Sequence, residues 1–192
     1  MSLWGNSDAD ESKPKNLTTA EKKEVYATAS GWVREAGSAL SGNNNTSATP
    51  ELLVAISALS TNLGAADVTE VEWITTAADR SDGFTLSVRV RYNEAVAVTG
   101  SPTISISNNN SGKGPHTLVY ASGSGSNELV FSLAIAAANA ATNADDVLVI
   151  GAQNILKPGG ATMKDATGTA SDAAVAISAG QGTAAGGITV VA

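Results

Sequence analysis

The sequence predicts a mainly β protein in which an antiparallel β-sandwich follows a small α+β module. The apolar fraction of 43% rests on small side chains, with only three Trp, three Tyr and two Phe in 192 residues, and this suits thin β-layers better than a bulky core. Short runs of alternating apolar and polar residues, separated by turn signals, fill the chain after about residue 67. Most lysines lie before that point. We therefore divide the chain into modules 1–66 and 67–192.

The clearest predicted strand covers residues 84–92, "FTLSVRVRY". A period of two there points one set of side chains inward and the other into water. The inward set is Phe84, Leu86, Val88, Val90 and Tyr92, and the outward set is Ser87, Arg89 and Arg91. The Ala-rich residues 136–146 are expected to form a helical turn across one end of the sandwich. The other predicted strands are 68–75, 103–107, 117–121, 128–135, 147–150, 174–177 and 188–191.

The first module contains one predicted helix, over residues 50–63. Thr49 is its N-cap, Pro50 its first residue and Gly64 its end. Its apolar stripe at helical spacing consists of Leu52, Ile56, Leu59 and Leu63. Earlier in the module, Thr18 and Glu21 have capping-box spacing, but the residues that follow prefer strands. A short turn and then a strand are expected there.

Charge and composition exclude several function classes. The net charge of −7 and a pI near 4.6 argue against a nucleic-acid partner, because phosphate binding needs clustered Lys and Arg. The absence of Cys excludes disulfides, thiolate zinc sites and Cys nucleophiles. The first residues have no apolar h-region, and no apolar run reaches about 18 residues. We expect synthesis in the cytoplasm and no membrane partner.

The residues that carry chemistry are few. His116 is the only histidine, in a Gly/Asn/Pro-rich stretch, so one chain cannot build a triad or a multi-histidine metal site, and a surface loop is expected for it. "GSGSNE" lacks the residues of a nucleotide loop and predicts a hairpin turned by Gly123 and Gly125. We expect neither a catalytic residue nor a cofactor, and hence no enzyme.

Carboxylates in or beside turns are the one constellation that can hold a metal. Hard oxygen ligands bind calcium, but no segment has EF-hand spacing. Solvated turn residues are therefore expected, with a structural calcium ion as the alternative. The set is Asp79, Asp82, Glu94, Asp145, Asp146, Asp165 and Asp172. A paired-carboxylate glycosidase needs a cleft with aromatic platforms, whereas the aromatic residues of this module are expected in its core: Trp73, Phe84, Tyr92, Tyr120 and Phe131.

Three apolar residues of the first module are candidates for an assembly interface. Leu3 and Trp4 lie in a charged arm with little local core to fill, which favours packing against a neighbouring subunit. For Trp32 we expect burial in a small core under Leu52, Ile56 and Leu59, with an interface contact as the alternative.

The second module resembles a bacterial Ig-like repeat found in large surface proteins and in phage virion proteins. The resemblance rests on "YNEAVAVTGSPTISI", "HTLVYASGSGSNELVFSLAI" and "GGATMKDATGTASDAAV", which occur in the order of that family, and it extends over roughly residues 84–177. The polar insertion "SNNNSGKGPH" and Thr169, where the family has Asn, depart from its pattern. The resemblance implies an Ig-like β-sandwich.

The first module has a second resemblance. "MSLWGN", "ESKPK", "GWV" and "ELLVAISAL" occur in this order over residues 1–63 and resemble the N-terminal module of structural proteins from T4-like phages of marine cyanobacteria. In that group a shared start is joined to varied C-terminal regions. The resemblance implies a docking module for the virion.

Together these resemblances imply a non-enzymatic virion structural protein made in the host cytoplasm. We expect a capsid decoration protein that binds the major capsid protein or other virion proteins, as a homo-oligomer or in many copies. Weak contact with cell-surface glycans is conceivable. The alternative is a tail, neck or fibre component that acts as a receptor-binding, glycan-binding or spacer module. A bacterial adhesin fragment is disfavoured by the missing signal peptide.

Overall fold

The computed structural model describes residues 13–14, 16–138, 140–167 and 170–192. Within them the chain is mainly β, with one large mixed sheet and few helical residues. This confirms the predicted fold class, a mainly β chain with a β-sandwich. Two of the predicted interface residues, Leu3 and Trp4, lie outside the described residues.

The first module is a three-stranded antiparallel meander with two short helices. A capping box opens the first helix, since Thr18 Oγ1 accepts a hydrogen bond from the Glu21 N–H at 3.3 Å and the Glu21 carboxylate accepts one from the Thr18 N–H at 2.8 Å. The predicted turn followed by a strand is therefore confirmed. The elements are α1 (Thr19–Lys23), β1 (Val25–Thr28), β2 (Gly31–Arg34), β3 (Glu51–Ala55) and α2 (Leu59–Asn62), with a 3₁₀ turn at Ala39–Ser41.

The helix predicted over residues 50–63 is wrong for most of its length. Strand β3 occupies Glu51–Ala55, and only Leu59–Asn62 is helical. The strand forms because β2 offers a free edge, on which Leu52 pairs with Val33 and Val54 with Trp32. Tertiary pairing thus overrides the local helical preference, and Leu52 of the predicted apolar stripe is 50% exposed.

The second module contains a strand within each of the eight predicted ranges. Three short strands and a helix were not predicted, and the described part of 136–146 forms turns rather than a helical turn. The strands are β4 (Val68–Trp73), β5 (Ala78–Asp79), β6 (Phe84–Thr99), β7 (Thr103–Asn108), β8 (His116–Ser122), β9 (Ser126–Ile135), β10 (Val147–Val149), β11 (Gln153–Asn154), β12 (Thr162–Asp165), β13 (Ala176–Ile177) and β14 (Gly187–Val191); the helices are α3 (Ala179–Ala185) and a 3₁₀ turn at Pro158–Gly160.

One long strand, β6, organises the sheet. The strand order is β3-β2-β1-β6-β9-β8-β7-β10-β14-β5, and β4 and β12 also pair with β6. Strands β11 and β13 form a separate pair. Among the described strands, β1 with β6 and β14 with β5 are parallel, and the other pairings are antiparallel. The first module therefore joins the sandwich through β6, where Ala27 pairs with Glu94.

The alternation predicted for β6 is confirmed on its inner face. Leu86, Val88, Val90 and Tyr92 are at most 1% exposed, and Phe84 packs against the same core. Phe131 is fully buried and meets Tyr120 edge to face at 6.1 Å, while Trp73 is partly buried. The aromatic residues thus lie in or against the core, as expected. Other buried members include Val71, Ile104, Ile106, Leu118, Leu129, Ile135, Leu148, Ile150, Met163 and Val190.

The predicted hairpin joins β8 to β9 at "GSGSN". Gly123 has φ +108°, and a Cβ on it would lie 1.9 Å from the Glu128 carbonyl oxygen. Only glycine fits such a position without displacing the backbone. The turn is closed further by the Ser124 N–H, which donates to the Tyr120 hydroxyl at 2.7 Å.

Candidate functional site

The most unusual polar environment in the described chain lies where the two modules meet. Four consecutive residues of β6, from Arg91 to Glu94, are at most 6% exposed. Asn93 holds this segment in place, because its N–H donates to the Asp67 carbonyl at 3.0 Å and its Oδ1 accepts from the Asp67 N–H at 2.6 Å. Two ionisable side chains, Arg91 and Glu94, are consequently buried at the junction.

Arg91 is the centre of an ion-pair group that we call the junction network: Arg89, Arg91, Glu35, Glu72 and Glu128. The Arg91 guanidinium lies 3.0 Å from Glu35 and 3.0 Å from Glu128, and 3.4 Å from Glu72. Arg91 Nη1 also donates to the Lys23 carbonyl at 3.3 Å. Because Glu35 and Lys23 belong to the first module, Arg91 links it to the sandwich.

The prediction that Arg91 faces water is wrong. Its side chain does point away from the sandwich core, but the first module covers that face of β6 and places Glu35 beside the guanidinium, which Glu72 and Glu128 of the sandwich also contact. Arg89, the next outward residue, stays 30% exposed in its side chain and pairs with Glu72 and Glu128 at 3.2 and 3.3 Å. The sequence contains one indication of these ion pairs, because Glu70 and Glu72 alternate in β4. In the sheet they pair with Arg91 and Arg89 of β6.

A polar cleft of about 510 Å³ opens beside this network. Glu35 lies in its wall, and burial raises the pKa of Glu35 to about 7, with Arg91 lowering it and the neighbouring Glu128 raising it. Glu35 can therefore exchange a proton near neutral pH. Burial likewise raises the pKa of Tyr26 in the same wall. The lining also includes Gly37, Thr46, Pro50, Arg89, Ser126 and Asn127.

The Glu35 carboxyl gives stability a specific pH dependence. A carboxyl with a higher pKa in the folded chain than its usual 4.5 stabilises the fold fully below about pH 4.5, and this contribution is lost as the pH rises through about 7. The loss is on the order of 3 to 4 kcal/mol, at about 1.4 kcal/mol per tenfold difference in proton affinity. Urea unfolding from pH 4 to 8 measures it, and Glu35→Gln should remove it.

The matched control for this pH profile is Glu51→Gln, which changes an exposed glutamate of the same module and leaves the Glu35 carboxyl in place. We expect this variant to keep the loss of stability between pH 4.5 and 7. A Glu35→Gln profile as steep as that of the wild type would contradict the assignment of the effect to Glu35.

Two of the predicted carboxylates meet in a second cluster at the junction. Glu94 of β6 is 0% exposed and Asp165 of β12 is 3% exposed. Thr167 Oγ1 lies between them, 2.8 Å from Asp165 Oδ1 and 3.4 Å from Glu94 Oε2, and donates also toward the Ser60 carbonyl at 3.3 Å. Burial, with the Asp165 charge second, raises the pKa of Glu94 to about 8.

The other predicted carboxylates serve turns. Asp79 accepts from the Ser81 N–H at 2.8 Å, and Asp172 pairs with Lys164 at 2.7 Å. Asp82 and Asp145 are exposed. Asp146 departs from the expected solvation, because it is 4% exposed and accepts from Asn108 Nδ2 at 2.9 Å.

His116 is not the surface loop residue that the sequence predicts. It is the first residue of β8, pairs with Ile106 of β7 and is 4% exposed. The side chains of His116 and Leu118 are buried, and the residue that follows each of them is exposed. Burial lowers the pKa of His116, so the neutral ring is favoured.

Trp32 lies in the core of the first module. It is fully buried and packs with Val25, Ala27 and Leu59, which agrees with the burial expected for this residue, although Leu52 is not part of that core. Leu53, Val54, Ile56 and Leu63 pack against the same cluster.

Two further observations concern the described residues as a group. Among them, no three His, Asp or Glu side chains gather in a set able to hold a metal. No helix in the described ranges has both the length and the apolar character to cross a membrane.

Comparison of the chain with family models, with curated proteins and with solved structures found no match.

Proposed function

We propose that this chain is a non-enzymatic phage virion structural protein, a capsid decoration protein that docks by its first module and displays the β-sandwich. The proposal starts from the two sequence resemblances. The structural observation that supports it most is strand β3, which ends the sheet order and has no strand partner on its outer edge in the described part of the chain. Leu52 on this strand is 50% exposed.

An open strand edge suits attachment to another protein. Its free N–H and C=O groups pair with an extended segment of a partner, and an exposed apolar side chain adds buried area. In the proposed particle, the major capsid protein or another virion protein supplies this segment, and the arm that carries Leu3 and Trp4 adds further contacts. Many copies or a homo-oligomer then sum weak contacts into a stable layer.

The junction suits a display function. The ion pairs of Arg91 and of Lys23 with Glu70 cross between the modules. A module fixed to the shell would hold the sandwich in one orientation, with its acidic loops toward solvent. The protein would be made in the host cytoplasm and reside in the virion.

Incorporation into particles tests this proposal. We expect Leu52→Ser to lower the number of copies per purified virion by about tenfold, because burial of a leucine side chain contributes roughly 1.5 to 3 kcal/mol. Quantitative mass spectrometry against the major capsid protein measures the ratio. The matched control is Leu156→Ser, which changes a leucine of the sandwich that is 62% exposed and should be incorporated normally.

The number of copies of the wild-type protein per capsid subunit distinguishes a position on the head from one in the tail. A value near one per capsid subunit, or a regular fraction of it, is expected for decoration of the head. Absence of the protein from particles would refute the virion proposal. Equal incorporation of the wild type, Leu52→Ser and a variant without residues 1–12 would refute docking by the first module.

The second candidate is a tail, neck or fibre component that binds a receptor or glycan. The polar cleft favours it, because Tyr26, Asn127 and two carboxylates line one opening. Sugar-binding sites combine an aromatic ring, on which the sugar stacks, with polar groups that hydrogen-bond its hydroxyls. Small copy numbers in multiples of three or six would select this candidate.

A further inference from the structure

The cluster around Glu94 and Asp165 brings together two carboxyl groups that have no ionic partner among the described residues. Both carboxylates are almost completely buried, and the ion pairs within the described residues all involve other carboxylates. Burying a carboxylate is costly unless a cation or several hydrogen bonds compensate it. Asp165 accepts hydrogen bonds from the N–H and the hydroxyl of Thr167 at 2.7 and 2.8 Å, whereas Glu94 accepts only one long contact at 3.4 Å, so Glu94 is the less compensated of the two.

Oxygen atoms of the cluster converge on the Thr167 hydroxyl. Thr167 Oγ1 lies 2.8 Å from Asp165 Oδ1, 3.3 Å from the Ser60 carbonyl oxygen and 3.4 Å from Glu94 Oε2. Oxygens that lie about 2.4 Å from a calcium ion at right angles to one another are about 3.4 Å apart. Three oxygens from separate segments thus lie within this distance of Thr167 Oγ1, close enough to share one ion with it.

A second observation points independently to a ligand. Glu94 Oε1 is buried and has no hydrogen-bond partner among the described residues, although the other oxygen of this carboxylate faces Thr167. Ser60 Oγ is also buried without a partner in those ranges. Buried polar atoms are nearly always satisfied, so the buried Glu94 Oε1 without a partner points to a bound cation at this carboxyl group.

We propose that Glu94, Asp165, Thr167 and Ser60 bind a calcium ion at the junction of the two modules. Carboxylate, hydroxyl and carbonyl oxygens are the hard ligands that this ion prefers. Protein zinc sites are built mainly from His nitrogen and Cys sulfur, and the cluster contains neither. Magnesium demands near-ideal octahedral geometry and keeps several waters, whereas calcium accepts irregular shells of protein oxygens. Because Ser60 belongs to α2 and the carboxylates to β6 and β12, the ion fastens the first module to the sandwich.

Thermal unfolding of the full-length protein tests the proposal. After treatment with a chelator, about 1 mM calcium chloride should raise the Tm by about 5 °C or more, because an ion that binds only the folded chain stabilises it. Magnesium chloride at the same concentration should raise it much less. Isothermal titration calorimetry should give one calcium ion per chain.

Charge-neutral variants distinguish this site from general screening. Asp165→Asn and Glu94→Gln keep the side-chain shape, and both should abolish the response to calcium. The matched control, Asp172→Asn, changes an exposed aspartate seven residues after Asp165 and should keep the response in full. No shift for the wild type, an equal shift with magnesium, or a full shift in Asp165→Asn would each overturn the proposal. These readouts do not depend on where the protein acts.

Discussion

We expect Arg91→Ala to lower the free energy of unfolding by about 3 to 5 kcal/mol, the usual loss when one partner of a buried ion pair is removed. The guanidinium is in contact with Glu35, Glu72 and Glu128. Its removal leaves three carboxylates close together with less positive charge. It also removes the hydrogen bond to the Lys23 carbonyl. Urea unfolding at pH 7, followed by circular dichroism, measures the change.

The matched control for this variant is Arg89→Ala, two residues earlier on the same face of β6. Arg89 pairs with two of the same glutamates but is 30% exposed in its side chain, so a loss of about 1 kcal/mol or less is expected from the behaviour of exposed pairs. Arg91→Lys should recover only part of the loss, because an ammonium group lacks the fork geometry of a guanidinium. Equal losses in both alanine variants would contradict a special position for Arg91.

Trp32→Ala should have the second large effect, about 3 to 5 kcal/mol for truncation of a fully buried tryptophan. The core of the first module has few buried members, so it has little capacity to close the cavity around Val25, Ala27 and Leu59. We expect local unfolding of this module before the sandwich. Limited proteolysis with mass spectrometry should show early cleavage in residues 13–66 and a more resistant sandwich.

Trp73→Ala provides the comparison, because Trp73 is only partly buried at the surface of the sandwich and donates to the Gly186 carbonyl at 3.3 Å. This variant should leave residues 13–66 as resistant to cleavage as in the wild type. A Trp32→Ala protein that resists protease like the wild type would mean that the module is held by other contacts.

The parts of the fold that local pattern determines were predicted correctly. Alternation in β6 identifies its buried face because a sheet turns successive side chains to opposite sides. The hairpin at Gly123 follows from glycine conformation. The helix over residues 50–63 failed because Leu52, Ile56 and Leu59 fit a helical stripe, while the free edge of β2 makes residues 51–55 a strand. The pairing of residues 51–55 with β2 cannot be predicted from a short stretch of sequence, because the two strands are about 20 residues apart.

The junction could be predicted only in part. Glu94 and Asp165 were both among the candidate carboxylates, but their meeting depends on the pairing of β6 with β12, which joins distant parts of the chain. Ser60 and Thr167 were not candidates, because a carbonyl and a hydroxyl carry no distinctive sequence signal. Arg91 was assigned to water because nothing in its own strand reveals that another module covers it.

The shared strand β6 has a consequence for the order in which the molecule is assembled during synthesis. Its 16 residues pair with β1, β4, β9 and β12, so the meander of the first module leaves the ribosome before the strand on which it docks exists. The meander must wait until residue 94 has emerged, and the Glu94 cluster is completed only when Asp165 and Thr167 follow. The two modules therefore attach to each other late in synthesis. By then the outer edge of β3 is already available to a partner.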